Sequence, residues 1–127
     1  MTKKIILVLC LFIGLVGVIS FEQLYTEKAL SDMFSRVNAL QDSIKEENLD
    51  DSKSKSHDIV SFWADKERVI CLFVDYRDIE QITKQANLVV SHLDNKDFEL
   101  AKVECNALHQ AVENFSNMVK FDFWNIF

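Results

Sequence analysis

Beyond Phe21 the chain contains neither glycine nor proline; its two glycines, Gly14 and Gly17, both lie inside a nearly unbroken apolar run from Ile5 to Phe21. Tight β-hairpins need residues that accept positive φ, which Gly or Asn-Gly supplies. A sandwich or barrel would need many such turns, so an all-β fold is excluded for the 106 of 127 residues that follow the run. The same absence removes Gly-rich phosphate loops, Rossmann turns and the nucleophile elbow, each of which depends on close backbone approach. A chain of this length buries roughly two-thirds of its unfolded surface. That suffices for one core without metal or disulfide staples and is too little for two.

The N-terminus sets the expected compartment. Met1-Thr-Lys-Lys4 precedes the 17 apolar residues 5–21, which as a helix rise roughly 25 Å against a hydrocarbon core of about 30 Å. Leu24 and Tyr25 extend the span. A cleavable signal peptide shares this pattern, and Val18-Ile-Ser20 would serve as its small-residue cleavage site. The run is longer than the usual signal core and lacks Ala-x-Ala at its end, which favours an uncleaved anchor over residues 1–25. Lys3 and Lys4 on one flank against Glu22 and Glu27 on the other keep the N-terminus in the cytoplasm. The expectation is a single-pass cell-membrane protein, held in the lipid bilayer by residues 5–21, with an extracytoplasmic soluble domain. All 20 acidic residues lie beyond Phe21 with only 12 of the 14 basic ones, a net charge of −8 there. Such a surface repels phosphate backbones, so no nucleic-acid partner is expected.

Apolar residues recur with alternating spacings of three and four in separate windows, which places each set on one helical stripe. The sets are Leu30, Met33, Val37, Leu40, Ile44; Ile79, Ile82, Ala86, Val89, Leu93; and Phe98, Ala101, Cys105, Leu108, Val112, Phe115, Val119. A further window, Leu49, Ser52, Ser56, Ile59, Trp63, Ile70, keeps the phase but dilutes it with serines. These stripes predict helices near 26–46, 50–70, 76–94 and 97–118. Residues 69–74, VICLFV, read as the end of the second helix plus a buried link, since a lone strand would have no partner. The breaks carry caps: Asn48 with Asp51, Asp75 with Asp78 and Asp94 with Asp97 each set an Asn or Asp three residues before an acid suited to a helix's positive first turn. Asn48-Leu-Asp-Asp-Ser-Lys53 and Asp97-Phe-Glu-Leu-Ala-Lys102 match in pattern 49 residues apart, which suggests two hairpins of similar build. The fold class is therefore all-α: an N-terminal transmembrane helix, an antiparallel four-helix bundle of two helical hairpins over residues 26–120, and an aromatic tail, 121–127.

The Lys-rich start and single span, Trp63, Val74-Asp-Tyr-Arg-Asp-Ile-Glu-Gln-Ile82, the Asp97-Phe-Glu-Leu-Ala101 turn and the final Asn125-Ile-Phe127 resemble the family called domain of unknown function 4363, over nearly the full length. Phe121-Asp-Phe-Trp124 is more aromatic than the family's usual approach to its last residues, and Cys71 and Cys105 lie outside its pattern. The resemblance implies a small membrane-anchored helical protein of Gram-positive, often spore-forming, bacteria. It transfers no catalytic or ligand residue.

Cys105 and His109 share a helix face at metal-ligand spacing, but the obvious third ligand, His92, falls roughly 15 Å away along an antiparallel hairpin. Cys71 and Cys105 differ in height by about 20 Å, whereas bridged cysteines need Cα atoms within about 7 Å. Free thiols, and no metal or other cofactor, are expected. The acids cluster at the distal turns as caps, and no pair stands against an apolar wall as a tuned acid and base would. No catalytic residue is assigned and no enzyme is expected. Trp63 is a core or interface anchor. Phe121, Phe123, Trp124, Ile126 and Phe127 return to the bilayer end of the bundle and are candidate contacts with lipid or a partner. The leading expectation is a membrane-tethered module binding another membrane or envelope protein. The alternatives are an extracytoplasmic ligand sensor, its cavity lined by Ser52, Ser56 and Trp63, or a secreted helical protein after signal-peptide cleavage.

Overall fold

The computed structural model describes the backbone of residues 1–126 and the side chains of residues 1–120. Among the described residues there are four helices and no strand: α1 (Thr2–Lys45), α2 (Leu49–Ile70), α3 (Tyr76–Asp94) and α4 (Phe98–Ile126). Each packs only on its neighbours in a closed ring, α1 on α2 and α4, and α3 on α2 and α4. This is the antiparallel up-and-down bundle that short turns impose. Every member of the α1 and α3 stripes is buried, as are those of the α2 and α4 stripes except for Leu49 and Phe98 at their starts. The hydrophobic period thus becomes the core without change of phase.

α1 departs from the sequence reading. The apolar run and the first bundle helix are one 44-residue helix, about 66 Å long at 1.5 Å per residue. No break falls at residue 25 because Glu22-Gln-Leu-Tyr-Thr-Glu-Lys-Ala29 holds no glycine, proline or Asn/Asp cap. Gln23 Nε2 also donates to Glu27 Oε1 at 2.8 Å across one turn. Only burial marks the change, with Thr26 the first buried residue. The fourth helix likewise continues past the expected end at residue 118 to Ile126, since nothing in its sequence stops it.

The two distal turns are copies of one another. After α1, the amides of Glu46, Glu47 and Asn48 bond to the carbonyls of Asp42, Ile44 and Ser43; after α3, those of Asn95, Lys96 and Asp97 bond to Ser91, Leu93 and His92. Every group is offset by 49 residues. Both are Schellman ends, with a left-handed residue, Glu47 (φ 57°) or Lys96 (φ 61°), where glycine is usual. The next residue caps the following helix: Asn48 Oδ1 accepts from Asp51 N, and Asp97 Oδ1 from Leu100 N. The fourth helix is thus capped by Asp97 rather than Asp94, which ends α3. Asp75 caps α3 by accepting from Arg77 N, with Asp78 in the first turn as the sequence pattern has it.

The α2–α3 link corrects a second expectation. Cys71, Leu72 and Phe73 are exposed, not buried. α2 closes on itself, with Leu72 N bonding Val69 O at 3.2 Å and Phe73 N bonding Ile70 O at 3.0 Å. That tight turn aims only Ile70 and Val74 at the core.

Candidate functional site

The structure places Trp63 in the core, 1% exposed, at the α2–α3 contact. Its indole Nε1 donates to Thr83 Oγ1 at 2.9 Å, and that hydroxyl lies 2.7 Å from Glu67 Oε2 and 3.1 Å from Ile79 O. A buried indole N–H needs an acceptor, and Thr83 supplies one from the flank of the α3 stripe. Sequence reasoning missed Thr83 and Glu67. Glu67, four residues after Trp63 on α2, and Thr83, four after Ile79 on α3, were legible only as polar positions beside a seam.

The serines of the α2 seam are packed rather than spaced. Ser52 is fully buried and its Oγ lies 3.0 Å from Ser43 Oγ across the α1–α2 contact. Ser56 donates to Lys53 O at 2.9 Å within its own helix. Ser43 also donates to Asp51 Oδ2 at 2.6 Å, where Lys55 Nζ approaches to 2.5 Å. These bonds, Lys55 foremost and Ser43 second, hold the Asp51 carboxyl below its ordinary range. Small hydroxylated residues therefore let the two helices close at the distal end.

An open groove of about 420 Å³ lies between α1 and α4. Leu30 and Phe34 form its floor, and Glu27, Glu113 and Lys120 stand along its sides. The ring of Phe34 lies 4.6 Å from that of His109 on α4. Cys105, one turn away on the same helix, is 1% exposed, and burial pushes its thiol up to about 12. It behaves as a small apolar core residue. Among the described residues, no three His, Cys, Asp or Glu side chains converge on one point. The side chains of Phe121, Phe123, Trp124, Ile126 and Phe127 lie outside the described residues.

The two ends of the bundle differ in chemistry. The distal turns read Glu46-Glu-Asn48 and Asn95-Lys-Asp97, whereas the opposite turn reads Cys71-Leu-Phe-Val74. That apolar turn is on the side from which α1 leaves the bundle. There α1 carries a fully unburied apolar segment, long enough to cross a membrane, a test that a signal sequence also passes.

These features define a class: a four-helix bundle whose first helix extends without interruption into an apolar N-terminal segment. Residues 20–126 match the family model of the domain of unknown function DUF4363, and the chain belongs to that family. The match begins where the apolar run ends and takes in the whole bundle. No curated protein and no solved structure matches the chain.

Proposed function

We propose that the protein is a membrane-tethered interaction module, with residues 5–21 in the bilayer, Lys3 and Lys4 on the cytoplasmic side and the bundle on the outer face, where it binds another membrane or envelope protein. The observation that carries this reading is the unbroken α1, exposed and apolar for its first part and seamed into the core from Thr26 onward. A helix without a hinge fixes the distance and tilt of the bundle relative to the membrane. A flexible tether would not present one defined face.

The interior supports binding through the surface. Ser43 and Ser52 bond each other, Ser56 bonds its own helix backbone and Trp63 bonds the Thr83 hydroxyl, so these groups of the seam are already partnered. The surface feature suited to a partner is the α1–α4 groove, whose apolar floor and charged sides stand next to the span. The same groove keeps ligand sensing as a second reading, with Leu30 and Phe34 against the ligand in place of Ser52 and Ser56.

Photo-crosslinkers at Ser31 and Ser116, which border the groove, and at Asp50 on the distal tip test this in intact cells. Groove-specific adducts with membrane or envelope proteins are expected, together with protease digestion of the bundle from the outer face. Adducts only with cytoplasmic proteins, or a bundle protected from outside, would overturn the proposal.

A further inference from the structure

We propose that the α2–α3 turn is a second membrane contact, with Leu72 and Phe73 seated in the headgroup layer beside the span. This rests on the reading above that residues 5–21 cross the bilayer. Five large hydrophobics are exposed beyond Leu24 among the described residues: Leu72, Phe73, Tyr76, Leu100 and Val103. The first three fall on this one turn and the first residue of α3. Leu72 is 74% exposed and Tyr76 64% exposed.

The register of α1 against α2 sets the height of the turn. Ser43 meets Ser52 near the distal turn, Arg36 pairs with Asp58 farther up, and the Lys66 ammonium stands 5.4 Å from the Tyr25 ring near the top. Antiparallel helices advance at equal rates, so Leu72 comes level with about residues 19–22 of α1. The apolar run ends at Phe21, itself exposed together with Leu24. A bilayer placed on residues 5–21 therefore meets the turn at its surface.

The turn is built for that layer. The amides of Cys71, Leu72, Phe73 and Val74 all bond back to carbonyls of the last turn of α2. Apolar side chains are thus presented without free N–H groups, which the edge of the hydrocarbon would penalise. Arg68 and Arg77 are exposed on either side of the turn. They suit lipid phosphates, although Asp75 already holds Arg77 at 3.1 Å. The distal turns, with the same bundle to cap, carry Glu, Asn, Lys and Asp instead. Of the three interhelical turns, the one on the bilayer side is the apolar one.

Spin labels placed one at a time by I13C, L72C and K53C, in the full chain carrying C10A, C71A and C105A, test the inference in phosphatidylcholine–phosphatidylglycerol vesicles. Collision rates with oxygen and with a water-soluble nickel chelate give the depth of each label. The expected result is a lipid-like ratio at Ile13, an aqueous ratio at Lys53 and a ratio at Leu72 shifted toward that of Ile13. A lipid-like Ile13 with Leu72 as aqueous as Lys53 would overturn this inference and leave the anchor standing. An aqueous Ile13 would overturn both. Retention of the shift in vesicles of pure phosphatidylcholine would assign the contact to the apolar side chains, and its loss there would assign it to Arg68 and Arg77.

Discussion

Trp63 offers the sharpest test of how the bundle holds together. Trp63→Ala removes a side chain that is 1% exposed, and a large aromatic deleted from a core costs about 3–5 kcal/mol through lost burial and the cavity left behind. For a bundle of about a hundred residues this lowers the melting temperature on the order of 20 °C. Thr83→Val probes the polar half of the same contact. It nearly conserves shape and strands the Trp63 indole N–H and Glu67 Oε2, which the hydroxyl joins at 2.9 and 2.7 Å. A buried donor left unmade costs about 1–3 kcal/mol. Trp63→Phe removes that donor, so in its background Thr83→Val costs less, with a coupling of about 1 kcal/mol. Urea unfolding of the detergent-solubilised chain, followed by circular dichroism at 222 nm, measures all four proteins of the cycle. A Trp63→Ala unfolding free energy within about 1 kcal/mol of the parent's would refute the core assignment. Zero coupling would refute the hydrogen bond as a contributor to stability.

Glu47→Gly and Lys96→Gly should each stabilise the bundle by about 0.5–1 kcal/mol, because both residues occupy left-handed backbone that glycine adopts without penalty; the same urea assay measures it. Maleimide should label the exposed Cys71 in the native protein and spare Cys105, whose buried thiol is held protonated with its value near 12, until denaturant opens the core; mass spectrometry reads the sites. Asp51→Asn should destabilise at pH 7 and converge with the parent in acid. The Asp51 carboxyl sits below its ordinary value of 3.8, so its contribution is present at neutral pH and is lost as pH falls through the lowered folded value. Urea midpoints at pH 7 and pH 3 give the comparison.

The sequence by itself determined the fold class and almost the whole core. A chain without Gly or Pro beyond Phe21, carrying four stripes of period 3.5, has no route to a sheet, and buried positions such as Met33, Val37, Ile82 and Leu108 follow directly from the period. The hairpin copies were also legible, because Asn48 and Asp97 are local caps that act on their own helices. Three things waited for the tertiary structure. The fusion of span and bundle into one α1 was hidden because a change from lipid-facing to core-facing surface leaves the helix's local signals untouched. Trp63's acceptor lies 20 residues away on another helix, and which polar residue flanks a seam depends on the rotation of two helices about their contact. The exposure of Leu72 and Phe73 reversed the reading of VICLFV, since hydrophobicity records a preference to leave water and only the packed bundle shows whether protein is there to receive it.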